Sequence, residues 1–327
     1  MLVRSRLVGL VLTGLAVAGS GVLSASHAQN YPVRPVHIIV PFAAGGPADI
    51  YGRVVAQHLS ERLKQPFVVE DRPGAGSIVG SDAAARAESD GYSLLVISNT
   101  HTANESLFSK KPFELMRDFV PIAPINYSDL VLVVHPSVPA NNIKELIALA
   151  KSKPGGLNYA SSGPGTPYHL AGELFKAMSG TDIVHVPYKG SSSARNDVVA
   201  GQVQMMIDAI TTMAPLARAG QVRALGTTGL KRSSVLANVP TISEAGVPGY
   251  EATIWLGIVA PKDTPREIVD ELNAEISKVV RQPDVVKTWT EQGAEPMVMS
   301  PADFGAYLRK DIDKWAEVVK FSGAKVE

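Results

Sequence analysis

Two stretches of small residues hold the chemistry this chain can perform with its backbone. The first is Pro41-Phe42-Ala43-Ala44-Gly45-Gly46-Pro47-Ala48-Asp49, following the apolar run Ile38-Ile39-Val40. The second is Ser161-Ser162-Gly163-Pro164-Gly165-Thr166-Pro167-Tyr168-His169, following Asn158-Tyr159-Ala160. Pro47 and Pro167 are 120 positions apart, and from each the chain reads Pro-x-x-(Ile/Leu)-x-Gly, ending at Gly52 and Gly172. Proline suits the first helical position, where its missing N–H costs no hydrogen bond. Glycine lets other atoms approach the bare backbone. The product is a helix amino-terminus with free N–H groups, a seat for an anion. Two such seats can hold one small carboxylate between them, although a strand-to-helix turn of this composition also serves as a plain connection. Neither residues 42–48 nor residues 161–167 contain Arg, Lys or His. A carboxylate there must be met by N–H and hydroxyl groups, at ~1.5–3 kcal/mol for each such charged hydrogen bond.

The elements that must position these turns alternate. Apolar runs give way to helix-period segments through most of the chain, which predicts an α/β fold with largely parallel sheets. Strands are expected at residues 36–41, 67–70, 93–98, 157–160, 183–187, 205–208, 222–226 and 253–260. Helices are expected at residues 48–64, from 77 to about 88, and at 143–153, 170–178 and 194–200. Residues 120–135 are too long for one ordinary strand and predict a crossing between two halves. The pattern changes again near Pro248-Gly249, which predicts a return to the first half. Further on, Ile268, Leu272, Ile276 and Val279 share one helix face, and Phe304, Leu308, Ile312, Trp315 and Val319 another; both read as core stripes. The plan is discontinuous, with lobe one at 29–127 and 251–327 and lobe two at 128–250. Two crossings make a hinge able to close on a ligand.

Composition narrows the function classes. Residues 1–28 read as a secretory signal, with Arg4 and Arg6 ahead of the apolar run Leu7–Leu23 and small residues at Ser26-His27-Ala28. Cleavage there starts the mature chain at Gln29, in the periplasm, and leaves 299 residues, enough for two cores. The mature chain carries two more acidic than basic residues and no basic stripe, which argues against nucleic acid as a partner. It has no cysteine, so disulfides, thiolate catalysis and cysteine-ligated zinc are all excluded. No Gly-x-Ser-x-Gly elbow, His-Glu-x-x-His motif or Walker loop is present. Gly74-x-Gly76-x-x-x-Gly80 misses the dinucleotide fingerprint by one residue. The chain therefore reads as a binder with no cofactor and no metal, not as an enzyme.

Several segments together resemble one family. They are Pro41–Asp49 with Arg53, Arg72–Gly76, Ser162–Phe175, Val186-Pro187-Tyr188-Lys189-Gly190-Ser191 with Asp197, Gly201 and Asp208, Val239–Gly246 and Gly257–Pro261. The family is the Bug (TctC-like) group of periplasmic solute-binding receptors of tripartite tricarboxylate transporters, and the resemblance covers essentially all of the mature chain. It implies a two-lobed, Venus-flytrap architecture that closes on an organic carboxylate held by loop backbone and water. Two departures stand out. Ala44 replaces a frequent proline, and Asn104-Glu105 replaces a frequent Asn-Pro, which brings an acid near a segment expected to be a loop lining the ligand.

The candidate ligand contacts follow from the turns and strand ends. Phe42, Ala43, Ala44, Gly45 and Gly46 form the first seat, and Ser161, Ser162, Gly163, Gly165 and Thr166 the second. Asp49 either orders the first loop, accepts an N–H from the ligand, or simply favours the helix dipole. His169, at the matching place, donates to a carboxylate or makes a structural bond. Thr100, His101 and Asp208 lie at strand carboxyl ends, where open α/β sheets bind ligands. Asp208 is either an acceptor for a ligand ammonium or a loop anchor, and Lys189 reads as a surface lysine. The function expected is capture of a small organic carboxylate (mono-, di- or tricarboxylate, aromatic acid or amino acid) and delivery to membrane transporter subunits by a monomer. An amine-free mono- or dicarboxylate is favoured. The alternative is a sensing module that docks on a membrane sensor kinase.

Overall fold

Residues 31–322 are described in the computed structural model. The expected export signal and its cleavage point lie outside them. Strand β1 (Val36–Val40) leads to helix α1 (Pro47–Leu63), β2 (Phe67–Asp71) to α2 (Ile78–Ala85), and β3 (Ser93–Ser98) to α3 (Asn99–Leu107). A one-turn helix α4 (Leu115–Asp118) precedes the long strand β4 (Phe119–Val134). Then come α5 (Ile143–Ser152), β5 (Asn158–Ser161), α6 (Pro167–Ser179), β6 (Val184–Pro187), α7 (Ser191–Val199), β7 (Met205–Ala209), α8 (Ile210–Arg218) and β8 (Arg223–Thr227). After α9 (Ile242–Ala245) the chain finishes with β9 (Thr253–Pro261), α10 (Arg266–Val279), α11 (Pro283–Gln292), β10 (Ala294–Pro296) and α12 (Pro301–Ser322).

The strands run in the order β2-β1-β3-β9-β4-β7-β5-β6, with β8 and β10 added onto β4. Strand β1 is parallel to β2 and β3, and β5 is parallel to β6 and β7. Strands β4 and β9 are antiparallel to every neighbour they have. The sheet is therefore mixed, not largely parallel. An apolar run shows that a strand is buried on both faces, and it reads the same in either direction.

Strand β4 changes partners along its length. Residues up to Asp129 pair with β9, and Leu130 onward with β7 and β8. The chain returns beside this point, where Ala252 donates to the Thr228 carbonyl and Thr253 lies opposite Asp129. One core gathers Ile39, Leu95, Trp255 and Phe304 on one side of this change; another gathers Leu130, Tyr159, Phe175 and Tyr250 on the other. Both C-terminal stripes are buried as patterned, apart from the half-buried Ile312.

Helix α3 was not legible as a helix. Asn99, Thr102 and Asn104 are buried on it, so it has no clean apolar stripe. Its partners are tertiary. The Asp311 carboxylate of α12 accepts from Thr102 Oγ1 at 2.6 Å and from Trp255 Nε1 at 3.0 Å. Glu105 therefore sits on a helix and not in a ligand loop; it pairs with Lys111 and accepts from the Leu115 N–H.

Candidate functional site

The two turns noted in the sequence repeat in backbone geometry. Gly45 and Gly165 take left-handed φ values of 76° and 77°, where a side chain is disfavoured. The next residues, Gly46 and Thr166, are extended helix caps, and Pro47 and Pro167 open α1 and α6. Two residues further on, a side chain reaches back to the glycine. The Gly45 N–H donates to Asp49 Oδ2 at 2.8 Å, and the Gly165 N–H donates to His169 Nδ1 at 3.1 Å. Asp49 and His169 thus order the two loops from behind. Arg53 pairs with Asp49 and, at 2.7 Å, with Asp71.

Burial decides the histidine protonation states. His101 accepts the Ser98 N–H at Nδ1 and faces Ser81 Oγ with Nε2. Burial holds its imidazole down at about 3, so it is neutral and its Nε2–H donates to Ser81. His169, held down to about 4 by burial, is the neutral acceptor that Gly165 requires. Its ring lies 4.2 Å from that of His185, whose Nε2 meets Ser161 Oγ at 2.7 Å.

A cavity of about 480 Å³ lies between the turns. Five helix amino-termini border it: α1 through Gly46–Ala48, α2 through Gly74–Ser77, α3 through Ser98, α6 through Thr166–Tyr168, and α7 through Gly190 and Ser191. Side chains cap α3 and α6, from Ser98 and Thr166, whereas α1, α2 and α7 have no side-chain cap. The ends of α1 and α7 present N–H groups and the positive end of the helix dipole, whereas at α2 the Ile78 and Val79 N–H groups donate to the Ala75 and Gly74 carbonyls of the loop before it. The loop into α2 is strained as well: Gly74, Ala75, Gly76 and Ser77 all have positive φ. Such runs persist where the surroundings over-determine them, and they cluster at ligand sites. Among the described residues, no aspartate or glutamate borders the cavity, and Lys189 is its one charged side chain.

Segments from the two sides of the β4 partner change meet across this cavity. Ser192 Oγ donates to the Ala44 carbonyl at 3.1 Å. A Cβ on Gly76 would lie 2.9 Å from the Pro164 carbonyl oxygen, and one on Gly190 would lie 2.5 Å from Ala43 Cβ.

Of the residues singled out in the sequence, Phe42, Ala43, Gly46, Ser162, Gly163 and Thr166 border the cavity. The others stand behind it. Gly45, Asp49, Ser161, Gly165 and His169 make the loop-ordering bonds above, and the Ala44 carbonyl takes the bond from Ser192 on the facing segment. Thr100 and His101 are buried in the first turn of α3. Asp208 is fully buried, pairs with Arg195 at 3.2 Å and accepts the Ala209 N–H, so its carboxylate anchors structure and does not face the cavity. Gly74–Ser77, Ser98, Tyr168, Gly190, Ser191, Ile254 and Leu256 were not expected there, and Lys189, read as a surface lysine near the cleft edge, lines it. The glycine turn at 72–76 and the Val186–Ser191 segment were the available signals for two of these groups. Ile254 and Leu256, two apart on β9, share a strand face, but spacing does not say what that face meets.

Residues 51–323 match the model of the tripartite tricarboxylate transporter family receptor. The chain belongs to this family. Among this receptor's relatives is the UPF0065 protein in the tcbD-tcbE intergenic region of Pseudomonas sp. strain P51, 39% identical over 313 residues, or 94% of this chain and 93% of that one. Protein BugT of Bordetella pertussis is 35% identical over 320 residues, or 97% and 98% of the two chains. Among solved structures, R. palustris Rpa4515 with adipate has a TM-score of 0.88 at 36% identity, covering 90% of this chain and all of that one. MatC from Rhodopseudomonas palustris with bound malate has a TM-score of 0.85 at 32% identity, covering 88% of this chain and all of that one. The receptor thus has the two-lobed architecture of periplasmic binding proteins.

Proposed function

We propose that this receptor captures a small organic carboxylate between its lobes, closes on it, and delivers the closed form to the membrane subunits of a tripartite transporter. The observation that carries this reading is the convergence of the uncapped amino-termini of α1 and α7 on a cavity with no acidic side chain among its described lining residues. The bound adipate and malate of the two related structures support the ligand class. Lobe one comprises residues 29–127 and 251–327, lobe two 128–250, and the partner change on β4 near Asp129 with the return at Ala252 supports those limits. A ligand that binds only the closed state shifts the population by its differential affinity. The receptor works as an exported monomer in the periplasm and catalyses no reaction. No observation favours docking on a sensor kinase.

The test is a thermal-shift screen of the ligand-stripped, refolded mature chain, paired with Gly46→Asp. A ligand at a hundred times its dissociation constant adds ~2.7 kcal/mol of stability. Gly46 is an extended helix cap with φ −88°, so aspartate fits the backbone there and suits the cap position. Its carboxylate takes the anion's seat, and binding is lost with far-UV circular dichroism unchanged. Normal affinity in Gly46→Asp removes the first loop from the site, and a shift with sugars alone refutes the carboxylate reading.

A further inference from the structure

Helix α6 starts at the second turn and carries one side chain out of its own half of the molecule. Leu170 is fully buried, yet it belongs to neither core of lobe two and does not border the cavity. It packs with Ala103 and Leu107 of α3 and with Trp315 and Val319 of α12. We propose that Leu170 is a latch that enters this lobe-one socket when the lobes close and leaves it when they open, and so sets the affinity for a ligand it never touches. The inference rests on the closure reading above, not on which ligand is captured.

The repeated turns show that the helix's own lobe does not require this burial. The matching residue after the first turn is Ile50, and it is 38% exposed on α1. Leu170 is covered at the same place on α6 because α3 and α12 lie against it. The backbone passes between the two sides near Asp129 and Ala252, and neither passage runs through α3, α6 or α12. The socket is continuous with the cavity rim. Leu107 also stands against the second turn, where a Cβ on Gly165 would lie 3.1 Å from its Cδ1. Phe108, packed on the socket, would lie 3.6 Å from a Cβ on Gly76, the same point that the Pro164 carbonyl oxygen approaches at 2.9 Å. Opening the cavity parts Pro164 from Gly76 and Gly165 from Leu107. Leu170 lies in the first turn of the helix that follows, so the same movement draws it from the socket.

A polar atom at this face fits a contact that is made and broken. Asn104 Oδ1 is buried without a hydrogen-bond partner, and a Cβ on Gly165 would lie 2.9 Å from it. Permanent cores satisfy such atoms. At a face that opens, water takes up the acceptor, and drying it on closure offsets part of the gain from burying Leu170. Full burial of a leucine side chain alone favours the closed state about 10- to 150-fold.

The chain has no cysteine, so one engineered thiol reads the latch without background. Leu170→Cys and Ala171→Cys place it at neighbouring, fully buried positions of α6, one in the socket and one in the lobe-two core. Reaction with an aromatic disulfide reagent under native conditions follows the population in which the thiol is exposed. An opening equilibrium exposes ~0.1–10% of molecules, whereas the lobe-two core is exposed by unfolding alone. In the ligand-free mature chain Leu170→Cys is therefore expected to react at least about tenfold faster than Ala171→Cys, each rate being compared with that variant's own urea-unfolding equilibrium. Ala150→Cys, in the same core, serves as the control if Ala171→Cys does not fold. Equal rates make Leu170 a permanent fold contact and overturn the latch. Adipate or malate at saturation is expected to slow Leu170→Cys about tenfold or more. An acid that raises the melting temperature without slowing it overturns the latch; silence from both acids counts against the carboxylate reading, and the ligand-free comparison still decides the latch. Leu170→Ala should raise the dissociation constant of the acid that binds by about tenfold or more, and an affinity within twofold of the wild type overturns its role in capture.

Discussion

Gly190→Ala isolates closure from folding. Gly190 caps α7 with φ −174°, an extended conformation open to any residue, so alanine adds no backbone strain. The added methyl would lie 2.5 Å from Ala43 Cβ on the facing loop. Ordinary carbon contacts are ~3.5–4.0 Å, so the two loops must part by about 1 Å. The Ser192–Ala44 hydrogen bond beside them stretches by the same movement. Overpacking of a rigid contact costs ~1–3 kcal/mol, and here it falls on the closed state alone, because an open hinge relieves it. The dissociation constant of the carboxylate ligand is then expected to rise about 5- to 150-fold. Calorimetry reads the affinity, small-angle scattering reads compaction on ligand addition, and ligand-free melting reads the fold. Affinity within twofold of the wild type refutes the reasoning. A matching fall in ligand-free stability would instead make Gly190 a fold contact and not a closure contact.

Three other outcomes follow from the same geometry. Asp49→Ala leaves the Gly45 N–H without its charged acceptor and is expected to cost ~1.5–3 kcal/mol in urea unfolding, with weaker binding from a loosened loop; Asp49→Asn should recover most of both. His169 sits at about 4 in the folded chain against ~6.5 unfolded, so as pH falls from 6.5 toward 4 the unfolded chain takes up a proton the folded one refuses, and stability falls. His169→Gln keeps an acceptor for Gly165 and should flatten that slope by ~1.4 kcal/mol per pH unit, as read by denaturation at pH 6.5 and 4.5. Asp129, beside the β4 partner change, is pushed up to about 6 by burial first and then by Glu251. A raised carboxylate favours the fold below ~3.9 and loses that contribution as pH rises through about 6, so Asp129→Asn should raise stability by ~3 kcal/mol at pH 7.5 and by nothing at pH 3.5, in paired melting curves.

The two glycine-proline turns were legible in the chain because backbone chemistry is local. Proline at the first helical position and glycine at a left-handed φ set a tight strand-to-helix turn from neighbouring residues alone. Both core stripes of the C-terminal helices were legible for a similar reason, since a 3.6-residue period survives any surroundings. Strand direction, helix α3 and the cavity walls depended on tertiary structure. Nothing along β9 states that it runs against β3 and β4, or that Ile254 and Leu256 face a cavity. Helix α3 holds its polar residues inside because distant groups accept their hydrogen bonds: Asp311 from Thr102, the Thr253 carbonyl from Asn99 and the Gly76 carbonyl from Asn104. Asp208 and His101 have the residue types of ligand contacts, yet Arg195 and Ser81 take up their polar atoms. Residue type and spacing set which groups can bind an anion; which of them remain free to do so is decided by the partners that folding brings, because a buried polar group bonds to whatever reaches it first in space, not in sequence.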